Sequence, residues 1–341
     1  MRVPALPANL PLGTDSCRGY GSKSVTATVA RPLNLSTYAT YERPGLKLQT
    51  PRFKYRMAYE LSGCVRSLNI SLAAKRENWR AARRFGYRID LFCVLESCGP
   101  AADDAIERRM VHNFIHAFRR ASSADDEVVN CTLWPRGTGI LDAAGHLRSE
   151  YRMTHPDFPY FRRSGFGKSP AFVGHVLANM YKHKVQSQLH RESGRVYDVV
   201  WRTRPDFVST GFESALRAMP TAHDVYFVTQ HCFVASTPNK SHIEAHGHTD
   251  IELLLTGSAA LHHGQLFDET AKLYANGWSF APEVLLTQHM HEGRFKSQVL
   301  WNAELFRCSS HCFGLETPCR LFPPSRQSRT CVFVNGAVAP T

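Results

Sequence analysis

The segment Val196–Phe207 reads VYDVVWRTRPDF, and it places Arg202, Arg204 and Asp206 within five positions. Val196–Trp201 is an apolar stretch suited to a buried strand, so the three charged side chains are expected where that strand leaves its sheet. Pro205 cannot donate to a ladder and favours an extended Arg204 before it. A guanidinium is a planar fork of donors that grips phosphate oxygens in bidentate fashion. A neighbouring carboxylate can hold Mg²⁺ or Mn²⁺ across a diphosphate, or bond sugar hydroxyls. The trio therefore suits a nucleotide diphospho-sugar. Breaking the sugar–phosphate bond builds negative charge on the diphosphate, and fixed cations stabilise that charge as it develops. The alternative is a surface Arg–Asp pair, which stabilises little.

The elements that must position these residues follow from periodicity. Phe53–Gly63 alternates apolar and polar residues and ends on Ser-Gly, as a strand does. Residues 64–85 carry Val65, Leu68, Leu72, Trp79 and Ala82 at helical spacing, closed by Gly86. Tyr87–Glu96 is a near-continuous apolar run, the pattern of a strand covered on both faces. A helix with Asp103 and Asp104 at its start and a strand EVVNCTLW come next. Residues 136–165 form a Gly-, Arg- and aromatic-rich connection of the kind that often carries function. A helix over Ala171–Arg191 leads to VYDVVWR and then to DVYFVTQH. Residues 250–276 hold an apolar run, a Thr-Gly-Ser break and a helix. Pro282–Gly293 is a short helix or turn ending in histidines. Alternating strands and helices predict an α/β fold with a mostly parallel central sheet flanked by helices. In such a sheet ligands bind beyond the carboxyl ends of the strands, where Arg202, Arg204 and Asp206 are expected.

The strand YDVVWRTRPDF resembles the "YD-hydrophobic-R-x-RPD" signature of a family regarded as glycosyltransferases with a GT-A-like fold, found in bacterial polysaccharide clusters and in algae. LSGCVRSL (Leu61–Leu68), DIELLLTGSAAL (Asp250–Leu261) and PEVLLTQHM (Pro282–Met290) resemble three further segments of that family, in the same order. The resemblance covers roughly residues 53–295. It implies a single GT-A-like, Rossmann-related domain that moves a sugar from a nucleotide diphosphate to a glycan or glycoconjugate hydroxyl. It also implies roles. Gly63 lets the backbone turn tightly near the nucleotide, and Arg66 reaches a phosphate or the base edge. Arg202 and Arg204 contact the diphosphate. Asp206 binds metal or sugar, and Asp250 binds the acceptor or acts as general base. Glu283 and His289 line the site, His289 as a metal ligand. Each has a structural alternative: a strand-ending turn for Gly63, an exposed helix charge for Arg66, a cap for Asp250, a helix-dipole partner for Glu283 and a surface ring for His289. The family resemblance is incomplete. The Asp-x-Asp pair of metal-dependent GT-A enzymes is absent, with Arg204 two positions before Asp206, and the glutamine usual after Asp250 is missing. The first departure puts Mn²⁺ or Mg²⁺ dependence in question.

Composition sets the wider frame. With 341 residues and 21% charged side chains, the chain is globular and long enough for one large domain. Residues 1–50 are rich in Pro, Ser, Thr and Gly and low in acids, and read as a flexible leader weakly like an organellar transit peptide or as a plain tail. The domain is expected over 51–307, with a Cys- and Pro-rich tail at 308–341. No apolar run reaches membrane-spanning length, and the proline-broken start makes a poor secretory h-region; localisation stays open. The net charge of +12 calls for an anionic partner without choosing one. Cys308, Cys312, Cys319 and Cys331 surround His311 and allow a disulfide, a zinc site of non-standard spacing or free thiols. No dinucleotide-fold, P-loop, G-x-S-x-G or H-E-x-x-H motif is present. Two rival readings remain: a transferase-like fold that binds without turnover, and a basic nucleic-acid binder with Tyr160, Phe161 and Phe166 among arginines. No recognisable nucleic-acid module supports the second, so nucleic acid is not the expected partner.

Overall fold

A computed structural model describes residues 33–34, 53–97, 104–122, 126–135, 139–140, 148, 170–229, 232–236, 244–248, 250–276, 278, 280–300, 304–308, 319–321, 332–334 and 337–339. The strands are β1 (Leu33–Asn34), β2 (Tyr55–Cys64), β3 (Tyr87–Glu96), β4 (Glu127–Trp134), β5 (Val199–Thr203), β6 (Phe207–Thr210), β7 (Val225–Thr229), β8 (Cys232–Ser236), β9 (Glu244–His248), β10 (Leu253–Thr256), β11 (Lys296–Leu300) and β12 (Glu304–Cys308). The helices are α1 (Leu68–Arg84), α2 (Asp104–Ala121), α3 (Pro170–Glu192), α4 (Glu213–Ala218), α5 (Gly257–His263), α6 (Leu266–Ala275) and α7 (Pro282–Glu292).

The main sheet has the order β1-β4-β3-β2-β5-β10-β7-β11. β4, β3, β2 and β5 run parallel. β10 runs against both β5 and β7, and β11 is parallel to β7. This is the expected α/β domain with a mostly parallel sheet. The chain builds outward from β2 through β3 to β4, then returns across α3 to β5 on the other side of β2. The strand order therefore reverses between β2 and β5, the switch point at which open sheets leave a crevice. Among the described residues, no helix is long and apolar enough to cross a membrane. β12 pairs with β6 and with a strand at Cys319–Leu321 from the expected tail, making a small second sheet.

The two faces of the sheet are packed differently. Alternation puts Met57, Tyr59, Leu61, Val199 and Trp201 on the face that meets α1, α2 and α4. Ala58, Val200, Leu253 and Leu255 face α3, α5, α6 and α7. Trp79 of α1 sits edge-on to Tyr59, Phe114 and Phe118 at 5.0–5.8 Å between centroids. Such contacts add roughly 0.5–1.5 kcal/mol each beyond burial, and they anchor α1 over the centre of the sheet.

Close approach of neighbouring chain fixes glycine at two positions beside β5. Gly63, near the end of β2, has φ of 132°, and a Cβ there would lie 3.1 Å from Cδ of Pro205. Gly257 opens α5 directly after β10, and a Cβ would come within 2.4 Å of the Tyr197 carbonyl oxygen. The Thr-Gly-Ser break is thus a strand-to-helix junction pressed against the approach to β5.

Candidate functional site

The carboxyl ends of β2 and β5 meet where Gly63 packs on Pro205. The strand carrying the arginines runs from Val199 to Thr203, later than the expected Val196–Trp201, because Val196 is exposed and the Asp198 carboxylate accepts from the Arg56 amide. The shift places Arg202 inside the ladder, opposite Glu60 of β2 and Leu253 of β10.

Arg202 therefore does not play the diphosphate-gripping role expected of it. It is 1% exposed, and its Nε and one terminal nitrogen donate to Glu60 Oε2 at 2.7 and 2.5 Å. The other terminal nitrogen meets Nδ1 of His263, and Ser187 lies at 3.4 Å. Burial pushes the Glu60 carboxyl up, but Arg202 and then His190 overcome this and hold it below the usual range. Burial, followed by the Arg202 charge, pulls His183 down to about 3 and His263 well below its ordinary value. This is a buried polar layer between the sheet and α3, in which Glu60 Oε1 and Gln186 Nε2 find no hydrogen-bond partner.

Arg204 and Asp206 are the pair at the edge. Arg204 Nε and a terminal nitrogen donate to the two Asp206 oxygens at 3.0 and 2.9 Å. The Arg204 side chain is a third exposed and lies over the Phe207 ring at 5.2 Å, while Asp206 is nearly buried. Burial works against the Arg204 charge, but Asp206 and then Asp250 raise its pKa overall. Asp250 precedes β10. Burial pushes its carboxyl up against the pull of Arg204 and a hydrogen bond from Asn179 of α3. Glu283 stands in the first turn of α7, after Pro282. Burial, then the Asp250 charge, pushes it up to about 8, and its Oε2 is buried without a hydrogen-bond partner. Arg204, Asp206, Asp250 and Glu283 thus form one electrostatic group at the switch point. Burial raises the proton affinity of both Asp250 and Glu283.

His289 stands elsewhere. Its ring stacks on His262 at 4.0 Å between centroids, and each ring's Nε2 contacts the other residue's carbonyl oxygen at 2.8–2.9 Å. Burial brings it to about 4. This reciprocal clasp joins α5 to α7 and engages the Nε2 of His289. Both Asp206 oxygens accept from Arg204, and among the described residues no three His, Cys, Asp or Glu side chains cluster to hold a metal. A Mn²⁺ or Mg²⁺ ion of the kind the resemblance implies would have to share Asp206 with the Arg204 fork. Arg204 supplies positive charge at that acid.

Arg66 lies in the 3₁₀ turn Val65–Ser67 that follows β2, but its side chain is outside the described residues. So are the side chains of His246, His248 and the C-terminal cysteines, His242, and the aromatic connection with Tyr160, Phe161 and Phe166. Cys64, beside Gly63, is disulfide-bonded, whereas buried Cys93 and Cys131 are free thiols. The sequence reading missed Lys75, Glu252 and Asn179. Lys75 had a signal, because it falls between Leu72 and Trp79 on the apolar stripe of α1.

No family model and no curated protein matches the chain.

Proposed function

We propose that the chain is a glycosyltransferase-like enzyme, transferring a sugar from a nucleotide diphosphate donor to a glycan or glycoconjugate hydroxyl. The observation that carries the reading is the gathering of Arg204, Asp206, Asp250 and Glu283 beyond the carboxyl ends of β2 and β5, where the strand order reverses. In this reading the exposed part of the Arg204 fork meets the diphosphate and stabilises charge on the leaving group. Asp206 holds the fork in plane and reaches sugar hydroxyls. Asp250, next to the arginine, accepts the acceptor's proton, and Glu283 supplies a neutral carboxyl beside it.

A second reading has support from the Arg204–Asp206 pair itself. Two groups that satisfy each other form a binding clamp as readily as a catalytic one, so a transferase-like protein that binds without turnover is the alternative. A thermal-shift screen against UDP, GDP and CMP, with and without Mn²⁺, repeated on Asp206→Ala, tests the donor site. A ligand at 100 times its Kd stabilises by about 2.7 kcal/mol, so a true donor nucleotide gives a clear shift. No shift with any nucleotide defeats the donor-site reading, and an equal shift in the variant removes Asp206 from it. Nucleotide-sugar hydrolysis or transfer separates enzyme from binder.

A further inference from the structure

We propose that Lys75 is the positioning residue of this site: its ammonium clamps the backbone of the turn from Arg204 to Phe207, and the Arg204–Asp206 pair loses its fixed place when that ammonium loses its proton. The link to a nucleotide diphosphate rests on the function proposed above; the clamp does not.

The geometry is specific. Lys75 belongs to the middle of α1 and is fully buried, yet its Nζ crosses to the exit of β5. It donates to the Arg204 and Phe207 carbonyl oxygens at 2.8 Å each, and Thr203 Oγ1 lies at 3.4 Å. An ammonium has three protons, and each has an acceptor. The two carbonyls bracket Pro205 and Asp206. Pro205 has no amide proton, and the turn's own bond, from the Phe207 amide to the Arg204 carbonyl, is long at 3.4 Å. The turn is therefore weakly closed by itself and is held from below by α1.

Burying an ammonium costs several kcal/mol before compensation. Water or a neutral amide could satisfy two carbonyls without that cost, so a charge kept here implies a role for the charge. The groups around it agree. Glu252, just before β10, and Asp206 both favour the charged form, while burial, the largest influence, pulls the lysine down to about 8. Glu252 Oε1 accepts from Trp201 Nε1 at 2.8 Å, and the Glu252 charge also bears on the buried Tyr59 phenol. Lys75 thus feels the charges of both Glu252 and Asp206, and ties the end of β5 to the acid that holds Arg204. Neutral Lys75 still has two protons but no charge to hold both carbonyls or balance Asp206.

Two readouts test this on the full-length chain. Hydrogen–deuterium exchange of the peptide spanning 202–208 is followed from pH 6.5 to 9.5, corrected for intrinsic exchange and compared with a β3 peptide. Protection of 202–208 is expected to fall about ten-fold through pH 8, with β3 unchanged and with no such step in Lys75→Met. A wild-type profile without the step overturns the clamp, even if Lys75→Met does not fold. Second, wild type, Lys75→Arg and Lys75→Met are titrated with UDP and GDP at pH 7. Lys75→Met is expected to bind at least ten-fold more weakly, with partial rescue in Lys75→Arg; equal binding by folded Lys75→Met overturns the positioning role. If wild type binds neither nucleotide, the donor reading fails, and the exchange step still decides the clamp.

Discussion

Arg204 and Asp206 divide the work of the site by exposure. Arg204 is a third open to solvent and keeps donors for a ligand, whereas Asp206 is nearly closed and holds the fork in its plane. Arg204→Lys preserves charge but removes the planar fork, so nucleoside diphosphate affinity is expected to drop about ten-fold, close to 1.4 kcal/mol. Calorimetric titration with UDP or GDP reads this directly. Glu283 gives a pH test. Its folded pKa of about 8 lies above the unfolded value of 4.5, so the folded state holds the extra proton between them. The stability it contributes is complete below pH 4.5 and disappears as pH rises through 8. Glu283→Gln removes this dependence. Urea unfolding should show the variant gaining on wild type by on the order of 1–3 kcal/mol between pH 5 and 8.5. A constant difference across that range would place Glu283 in an ordinary solvated setting.

At the scale of elements, β5 explains both what the sequence shows and what it conceals. Its apolar residues and the Arg-Pro-Asp exit mark a strand pointing at a site, and β3 and β4 keep the limits read from their apolar runs. The phase of β5 is harder to read, because Val196–Trp201 has no polar residue except Asp198 to fix where pairing starts. A shift of one residue in a strand moves a side chain to the other face. Arg202 is consequently a ladder residue facing α3, and its partner Glu60 is 142 positions away, beyond the reach of local pattern. Lys75 is the opposite case: a lysine on the buried stripe of α1 is visible locally, but the turn it holds is not. The Glu60–Arg202 pair makes a testable claim about β2 and β5. Arg202→Met strands a buried carboxylate and is expected to cost roughly 3–5 kcal/mol, while Glu60→Leu with Arg202→Met should recover most of that loss. Denaturant unfolding of the singles and the double completes the cycle. Gly63→Ala strains a backbone at φ 132° and presses on Pro205, at a cost of about 1–3 kcal/mol seen in the same assay.

The molecule as a whole carries its charge in two ways. The chain carries a net +12, while the described interior holds His183 and His263 beside Arg202, and His289 against His262; His183, His263 and His289 all have lowered proton affinity. Protonating that interior adds charge where the surface offers no relief, so acid should act first on the layer between the sheet and α3 and on the α5–α7 clasp. His289 isolates the effect. Its folded pKa of about 4 lies below the unfolded 6.5, so the unfolded chain takes up the proton first and stability is lost as pH falls from 6.5 toward 4. The buried carboxylates Asp250, Glu252 and Glu283 act in the opposite sense, because their proton affinities are raised. The wild-type curve alone therefore mixes the two contributions, and the comparison with a variant separates them. His289→Gln keeps an amide that can donate to the His262 carbonyl but cannot be charged. It should be less stable than wild type at pH 7.5, where it lacks the ring stack, and should close that gap by about 2–3 kcal/mol at pH 4.5. Urea midpoints at both pH values measure this. A gap that stays constant would mean that His289 titrates as an exposed ring does, and that the clasp between α5 and α7 opens before acid reaches it.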